Sequence, residues 1–412
     1  MANIRPFYCV RPKKEVAHLV SALPYDVYSR EEAVEKVKNA PLSFLNIDRP
    51  ETQFSMDTDM YSEPVYQKAK ELLDTWMENG TLEQEKMKCY YLYELTMDGR
   101  SQTGVVVCAS VDDYEKQVIK KHENTREDKE RDRIRHVDVC NAQTGPIFLA
   151  CRDSQELSQK IKQWKEELPL YDFVADDGVR HRVFRLSKEE DIEYLTSHFA
   201  SVNALYIADG HHRTASAVKV SQMRRNEHKN YTGEEEFNYF LSVIFPADEL
   251  KILDYNRVVQ DLNGLSKEEF LEKVGRKFRV EVKNFSVKPE KKATFGMYLD
   301  GQWYELTYLG ELADDDVVER LDVSILQNEV LYPVLGIADP KTDSRIQFVG
   351  GIRGLKELER LVDGGQAVAF ALYPTSMEEL FEVADEGRLM PPKSTWFEPK
   401  LRSGLFIHKI ES

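Results

Sequence analysis

The chain has 412 residues, of which 42% are hydrophobic and 31% are charged, a composition typical of a soluble globular protein with two or three hydrophobic cores. Its net charge of −16 comes from acids spread along the whole chain, which excludes a protein whose main task is to neutralise nucleic-acid phosphates. No run of 18 apolar residues occurs, so we expect no membrane span.

Residues 1–110 predict an amino-terminal α+β domain. Ser29 and Glu32 form a capping-box pattern at the start of a helix. The apolar run 43–47 predicts a short buried strand, and residues 66–77 have the periodicity of an amphipathic helix. Two further strands are predicted on either side of a turn at 97–100, where Asp-Gly supplies the backbone freedom of a hairpin.

Residues 111–228 predict a second domain, which opens with a highly charged helical stretch at 111–137. Strands and helices then follow one another along the chain. They are predicted as a strand at 145–150, a helix at 154–167, a hairpin with Asp177-Gly178 at its tip, a helix capped by Ser187, a strand at 203–209 and a helix from Arg213.

Residues 229–412 predict a third, carboxy-terminal α+β domain. Its predicted strands lie at 240–245, 302–309 and 367–373, and its predicted helices lie at 266–274, at 321–335 and from Ser376. The sequence has neither an internal repeat nor a steady strand–helix–strand alternation. The predicted fold class is therefore α+β, with several domains and mixed or antiparallel sheets.

The cysteines indicate the compartment. There are five, an odd number, and no two are spaced as CxxC, so they resemble reduced, small hydrophobic side chains rather than a disulfide framework. The first residues also have no apolar core of a secretory signal. We expect a cytoplasmic protein, and the sequence does not indicate its oligomeric state.

The strongest candidate site is the stretch "YIADGHHRTASAV" at 206–218. Asp209 ends a strand, Gly210 turns the chain, and His211, His212 and Arg213 lie at the start of a helix. The free N–H groups and partial positive charge of a helix amino terminus favour an anion such as phosphate. The glycine allows close backbone approach, and the histidines and arginine add donors. Asp209 would hold Mg²⁺ beside the phosphates.

The alternative is that Asp209 only caps the helix and that the two histidines are ordinary surface residues. We favour the phosphate site because an acid, a glycine, two histidines and an arginine occur together at a strand-to-helix turn. Zinc is disfavoured, since adjacent histidines point in different directions and the sequence has no third ligand at the spacing that zinc proteins use.

Two weaker candidates lie elsewhere. Glu123, in "KHENT", is predicted on a helix, where such a carboxylate is more often simply solvated. In "PPKSTWF", two prolines stiffen a loop that presents Lys393, Ser394 and Thr395, a set that suits a phosphate but is also common in surface loops. The sequence contains no GxxxxGK[ST] loop, protein-kinase motifs, GxSxG, HExxH or GxGxxG.

Five segments together resemble a widespread bacterial family described as a domain of unknown function: "LPYDVYSREEA", "SFLNIDRPE", "KKHENT", "ADGHHRTASA" and "MPPKSTWFEPKLRSGL". The resemblance extends from about residue 5 to the end of the chain. The family is related to free L-serine kinases, whose phosphate-binding domain resembles the ParB/sulfiredoxin superfamily. It implies a ParB/sulfiredoxin-like central domain at 111–228 and a tail, 389–408, that returns to the active site.

The resemblance implies transfer of a phosphoryl group to the hydroxyl of free L-serine, giving O-phospho-L-serine. The donor would be pyrophosphate, ADP or ATP, with Mg²⁺. Asp209 to Arg213 match the kinases' DGHHR motif, Glu123 follows a histidine as their general base does, and Lys393 and Thr395 match their tail motif.

The sequence also departs from the related families. Phe397 stands where some of the kinases have a histidine, which changes that part of the substrate pocket. Sulfiredoxin activity is not expected, since no cysteine follows Cys151. DNA binding is not expected either, because no helix-turn-helix or basic surface is visible. The alternative function is a non-catalytic regulatory protein that binds a nucleotide or another metabolite.

Overall fold

The computed structural model describes residues 1–152, 154–313 and 315–411. Over these residues the chain is α+β with several sheets, mixed and antiparallel, as predicted. Its contacts define two compact units. The first contains Met1–Lys121, Thr125–Leu250 and the carboxy-terminal segment from Pro399, and the second contains His122–Asn124 and Lys251–Glu398.

The boundaries of these units differ from those of the three domains predicted at 1–110, 111–228 and 229–412, and that division into domains stays a prediction. Strands from both sides of residue 110 share one sheet in the first unit. Nine strands of the described residues form this sheet. Eight of them lie in the spatial order Ile119–Lys120, Leu205–Asp209, Ile147–Cys151, Tyr239–Pro246, Arg100–Ser110, Tyr90–Met97, Arg180–Leu186 and Tyr171–Val174. The ninth, Ile4–Arg5, pairs with Arg100–Ser110.

The sheet is mixed. Leu205–Asp209 runs parallel to Ile119–Lys120, and Tyr239–Pro246 runs parallel to Ile147–Cys151, whereas the other neighbours are antiparallel. Both predicted hairpins are confirmed. The first has Asp98 and Gly99 at positive φ, the backbone freedom for which the Asp-Gly pair was singled out.

Helices of the first unit cover the sheet and build its cores. They are Ala17–Val20, Arg30–Lys38, Leu45–Asp48, Glu63–Glu78, Val111–Glu115, Glu127–Cys140, Gln155–Trp164, Glu189–Phe199 and His211–Glu227, with 3₁₀ turns at Pro50–Gln53, Glu236–Asn238 and Ala247–Glu249. The Ser29–Glu32 capping box is confirmed in both directions. Two short ribbons complete the unit: Val10–Pro12 with Leu82–Gln84, and His408–Lys409 with Ala142–Gln143.

Three local predictions were wrong. The run 43–47 is not a strand, because Leu45–Asp48 forms one buried helical turn; a short apolar run does not distinguish these two states. The helix predicted at 111–137 is broken: it stops before Gln117, which has φ 59°, and Ile119–Lys120 joins the sheet edge. Glu123 is therefore in a non-helical connection. The third error is a cap, since the N-cap of Glu189–Phe199 is Lys188 and not Ser187.

The second unit is built on an antiparallel sheet. Among the described residues it has six strands in the spatial order Phe278–Lys283, Gln302–Tyr308, Thr294–Leu299, Val368–Leu372, Tyr255–Val259 and Ile346–Gly350. A ribbon pairs Ile252–Leu253 with Trp396–Phe397. The helices are Lys267–Gly275, Asp322–Leu326 continued as a π-helix over Gln327–Leu331, Leu355–Asp363 and Met377–Asp385, with a 3₁₀ turn at Gly351–Arg353. None of the helices described in either unit has the length and apolarity needed to cross a bilayer.

Asp322 is a buried acid in the second unit and sets a pH dependence of stability. Burial raises the pKa of its carboxyl from 3.8 to about 7, against one hydrogen bond from the backbone N–H of Ala293. An unfolded chain would release this proton near pH 4, whereas the folded chain keeps it until about pH 7. Stability is therefore lost as the pH rises through this window.

We expect Asp322→Asn to stabilise the protein, and the gain in unfolding free energy to grow by about 2 kcal/mol between pH 5 and pH 8. Urea unfolding at both pH values measures it. Glu290 is exposed, and Glu290→Gln should change the free energy by less than about 0.5 kcal/mol at either pH. A gain for Asp322→Asn that does not depend on pH would contradict the burial of an ionisable carboxyl.

Candidate active site

The candidate phosphate site in the first unit is a tight turn between a strand and a long helix. Leu205–Asp209 ends after a register irregularity between Ile207 and Asp209. Gly210 has φ 96° and ψ 31°, a left-handed conformation that suits glycine. The helix then begins at His211, two residues earlier than predicted, and continues to Glu227. His211, His212 and Arg213 therefore occupy its first turn.

Asp209 is held ionised by cations of its own unit. Partial burial raises the pKa of its carboxyl, but the charges of Lys400 and Arg213 and the hydrogen bond from Lys400 lower it further, to well below its usual range. Lys400 Nζ lies 2.9 Å from Asp209 Oδ2. Because the folded pKa is depressed, this ion pair stabilises the fold above the ordinary carboxyl pKa and is lost as the pH falls below it. At neutral pH, the carboxyl of Asp209 is therefore anionic.

Arg213 folds back over the turn. Its Nη1 donates to the carbonyl of Pro146 at 2.5 Å. A Cβ atom placed on Gly210 would lie 3.1 Å from both Nε and Nη2 of Arg213, closer than ordinary van der Waals contact. The glycine is thus required twice, by the left-handed backbone and by the guanidinium that covers it.

We expect Gly210→Ala to cost about 1–2 kcal/mol of unfolding free energy and to weaken binding of pyrophosphate, because it strains the backbone and displaces Arg213. Gly178→Ala is the matched control: Gly178 also has a left-handed φ, 81°, but a Cβ there meets nothing within 4 Å. Both variants should lose similar stability in thermal unfolding, and only Gly210→Ala should lose affinity in calorimetric titration. Wild-type pyrophosphate affinity in Gly210→Ala would contradict the role of the turn.

The two histidines differ in their surroundings. His211 is buried, with 8% of its surface exposed. His212 Nε2 lies 3.0 Å from the backbone nitrogen of Arg126 and accepts its hydrogen. The proton of a neutral His212 ring is therefore on Nδ1, the atom with which this ring would donate to a phosphate. This contact also ties the segment before the helix Glu127–Cys140 to the turn.

The second unit places Lys393, Ser394 and Thr395 in a loop fixed by hydrogen bonds. Lys393 has φ 59°. Ser394 is buried, its Oγ donates to the carbonyl of Pro391 at 2.6 Å, and its own carbonyl accepts from Thr375 Oγ1 at 2.9 Å. The hydroxyl proton of Ser394 is thus used within the loop, which leaves Lys393 and Thr395 as the stronger donors.

Arg257 supports this loop from the strand Tyr255–Val259. It is buried, donates to the carbonyls of Tyr255 and, at 3.3 Å, of Pro392, and lies 4.8 Å from the ring centroid of Phe348. Burial lowers the pKa of its guanidinium to about 10, so it stays charged at neutral pH. A second cation therefore lies against the lysine loop.

The segment that contains Glu123 belongs to the same unit as the lysine loop. His122 accepts a hydrogen bond from the backbone N–H of Met390 at 2.8 Å through its carbonyl, and its Nε2 lies 3.3 Å from Thr395 Oγ1. His122 is buried, and Glu123 beside it is half-buried. Two candidate segments that are about 270 residues apart in sequence are thus in contact.

A comparison with protein families identifies the chain. A model of proteins of unknown function, DUF1015, matches residues 4–324. The chain belongs to the DUF1015 family. The family expected from the five sequence segments is confirmed by this match. Among curated proteins, no sequence matches this DUF1015 chain.

Free serine kinases are among the solved structures that resemble this DUF1015 protein. One, in complex with AMP, is 16% identical, with 71% of this chain and 86% of that chain covered and a TM-score of 0.34. A conserved hypothetical protein from Pyrococcus furiosus is 16% identical over 73% of this chain and 93% of that chain, with a TM-score of 0.32. SbnI from Staphylococcus aureus, with a carboxy-terminal truncation, is 13% identical over 71% and 82%, with a TM-score of 0.35. TM-scores this low do not establish a common fold, so residue roles are argued from the geometry of this chain.

In this DUF1015 protein, the predicted residues form two groups. Asp209 to Arg213 lie together in the first unit, and Glu123 lies in the second unit with the loop 393–395. The sequence reading missed Lys400, which binds Asp209, and Arg257, which supports the lysine loop. Lys400 could have been noticed, since it belongs to the segment "PPKSTWFEPKLRSG", in which only the first lysine was selected.

Proposed function

We propose that this protein is a phosphotransferase that moves a phosphoryl group to the hydroxyl of free L-serine, giving O-phospho-L-serine. The observation that carries the proposal is the turn at 209–213, where an ionised carboxylate, a left-handed glycine, a helix amino terminus and a covering arginine lie together. A helix start with these donors suits a polyphosphate. The donor would be pyrophosphate, ADP or ATP.

In this proposal, the first unit binds the phosphates of the donor. Backbone N–H groups after Gly210 and the side chains of His211, His212 and Arg213 donate to phosphate oxygens. Arg213 is partly anchored by the carbonyl of Pro146, so less conformational entropy is lost when it binds. Asp209 is an acceptor and would repel phosphate directly, which leaves it the role of a metal ligand.

Asp209 fits Mg²⁺. Its carboxylate is ionised at neutral pH, and Mg²⁺ in phosphotransferases takes one or two carboxylates together with substrate phosphates and water. Lys400 donates a hydrogen bond to Oδ2 of this carboxylate. When bound, the metal would offset negative charge on the transferred phosphoryl group.

The second unit would supply the proton acceptor. The serine oxygen forms a bond to the terminal phosphorus as the bond from that phosphorus to the donor's bridging oxygen breaks; Glu123 takes the hydroxyl proton. Lys393 and Thr395 would donate to phosphate oxygens, and Ser394 would do so only by turning its hydroxyl proton away from the carbonyl of Pro391. Negative charge on the equatorial oxygens favours the cationic Lys393 for this task.

The second candidate is a non-catalytic protein that binds a nucleotide or another metabolite. The ion pair between Lys400 and Asp209 favours it, because the lysine occupies a carboxylate oxygen that a metal would use. The two candidates differ in one measurement. The protein is incubated with L-serine and Mg²⁺ and, separately, ATP, ADP or pyrophosphate, and phosphoserine is detected by mass spectrometry.

Formation of phosphoserine with one donor supports the kinase. Donor binding with no phosphorylated product, from serine or from any other amino acid, supports the alternative. Asp209→Asn protein, expressed and purified in the same way, controls for contaminating kinases, which would give equal phosphoserine in both preparations.

A further inference from the structure

A cavity in the first unit is lined by none of the residues assigned to phosphate binding. Its volume is about 300 Å³, and it is lined by residues of the loop 25–30, the turn 49–51, the helix Glu63–Glu78 and the helix Glu127–Cys140. The phosphotransfer proposal gives these segments no role. The volume lies at the lower end of the range for small-molecule sites.

One wall of the cavity presents two positive groups. Arg49 is buried; its Nε donates to Glu51 at 2.5 Å, and its Nη1 donates to the carbonyls of Tyr25 and Tyr28, both at 2.8 Å. Its Nη2 has no acceptor among the described residues. Lys129 is half-buried on the same lining; its charge attracts the adjacent carboxylate of Asp128, but it forms no ion pair within 4 Å with a described residue. A fixed guanidinium edge beside an ammonium group suits a carboxylate.

The same cavity also presents two negative groups. Glu51 is buried and uses Oε1 for Arg49, while its Oε2 accepts from no described residue. Asp26 is exposed on the lining and is likewise without a cation within the described chain. Carboxylates in this position suit an ammonium group. The lining therefore offers donors and acceptors for one molecule that carries both charges.

The floor between these groups is rigid and partly apolar. Asp132 and Arg133 form a buried ion pair at 2.8 Å, and Tyr66 donates its hydroxyl to Asp132 at 2.9 Å. Arg133 also lies 4.1 Å from the ring centroid of Tyr25. Because these two charges are paired, they add shape to the cavity and little net charge. Arg49 and Glu51 are paired as well, through Nε and Oε1, so they offer a ligand Nη2 and Oε2 rather than full charges. Val65 contributes an apolar surface.

We propose that this cavity binds a free L-α-amino acid as its zwitterion. The carboxylate would be bound by Arg49 Nη2 and Lys129 Nζ, the ammonium by Asp26 and Glu51 Oε2, and the side chain would lie against the tyrosine and valine surfaces. A ligand with only a negative charge would be repelled by Asp26 and Glu51, and a ligand with only a positive charge would be repelled by Arg49 and Lys129.

Two of its lining residues connect this cavity to Arg213. Tyr25 and Arg133 line a smaller, more enclosed cavity as well, of about 30 Å³, and Arg213 lines that smaller cavity too. An amino acid that orders Tyr25 and Arg133 would therefore act on residues that are neighbours of Arg213. The binding site itself does not depend on phosphotransfer, and its test requires neither a phosphate donor nor Mg²⁺.

The test is isothermal titration calorimetry of the full chain with each of the twenty common L-amino acids, without donor or metal. We expect at least one to bind with a Kd below about 1 mM. Its amide, which lacks the carboxylate, and its 2-hydroxy acid analogue, which lacks the ammonium, should each bind at least about tenfold more weakly.

Lys129→Gln and Asp26→Asn should each weaken that binding by about tenfold or more. Neither side chain has a native hydrogen-bond partner among the described residues, so both variants should keep the wild-type melting temperature. Lys229 is exposed and lies outside this cavity; Lys229→Gln, the matched control, should bind as wild type does.

Three results would overturn the proposal. They are no binding by any amino acid up to 10 mM, equal binding of the 2-hydroxy acid, and binding that both variants leave unchanged. The last result would place the amino acid elsewhere, including at the proposed acceptor site. If an amino acid binds this cavity but no phosphoserine forms, only the proposed phosphotransferase function is contradicted.

Discussion

Asp209→Asn should lower the turnover number for phosphoserine formation by at least about 100-fold. The neutral amide removes the negative oxygen ligand that the proposal gives to Mg²⁺, so charge on the transferred phosphoryl group is less well offset. The Mg²⁺ concentration for half-maximal rate should rise at the same time. Steady-state rates over a series of Mg²⁺ concentrations measure both effects.

A structural cause must be separated from the chemical one, because Asp209 also pairs with Lys400 at 2.9 Å. Asn at 209 leaves Lys400, only 14% of whose side chain is exposed, near a neutral partner. The double variant Asp209→Asn/Lys400→Gln also removes the charge of Lys400. If the double variant recovers both stability and turnover, the carboxylate is only a partner for Lys400, and the metal role is wrong. We expect recovery of stability alone.

The matched control for this prediction is Asp172→Asn. Asp172 also forms an ion pair, with Arg180 at 2.7 Å, but on an exposed hairpin of the same unit. Exposed pairs contribute about 1 kcal/mol or less, and this one lies far from the turn in sequence. Its variant should therefore keep wild-type turnover and Mg²⁺ dependence.

The elements that the sequence predicted correctly are those whose signals are local. Ser29 and Glu32 are three residues apart and cap one helix reciprocally. Asp98-Gly99 lies between two strands that pair directly. In each case the deciding interaction lies within a few residues, where spacing and side-chain chemistry can be read. The strand predicted at 43–47 was wrong because a short apolar run indicates that a segment is buried but not which distant elements it packs against.

Sheet order and much of the site depend on contacts between distant residues. Arg100–Ser110 pairs with Tyr239–Pro246, and no periodicity links these two segments. The same holds for Lys400 and Asp209, which are 191 residues apart. The DGHHR turn itself could be predicted, since strand, glycine and helix follow one another in sequence. The pairing of its carboxylate with Lys400 could not, although Lys400 lies in a segment that the sequence also singles out.

The connection at 121–126 shows why periodicity also misleads. Its charges continue the pattern of the neighbouring helix, yet His122 hydrogen-bonds Met390 of the carboxy-terminal half. That tertiary contact, with the strand Ile119–Lys120 just before it, overrides local helix propensity. A carboxylate beside a buried, hydrogen-bonded histidine is also better fixed than one on a solvated helix face, which strengthens the case for testing Glu123.

Glu123→Gln should lower turnover by about 10²- to 10⁴-fold, the usual contribution of a general base. Gln keeps the size and the hydrogen-bonding reach of the side chain but cannot take the serine proton. The dissociation constant of the phosphate donor should stay within about twofold, because Glu123 is not among the residues assigned to its phosphates, 209–213 and 393–395. Discontinuous assays of phosphoserine formation measure the turnover number, and calorimetric titration measures the dissociation constant of the donor.

The control variant is Glu127→Gln. Glu127 is four residues further along, is exposed in the first turn of the helix Glu127–Cys140, and carries the same charge. A general effect of removing one negative charge from this acidic chain would appear equally in both variants, whereas loss of a proton acceptor would appear only at 123. Equal losses, or near-normal turnover in Glu123→Gln, would remove Glu123 from the mechanism. A parallel loss of donor affinity would instead give Glu123 a binding role, since a group that acts only in the transition state lowers turnover without changing ground-state binding.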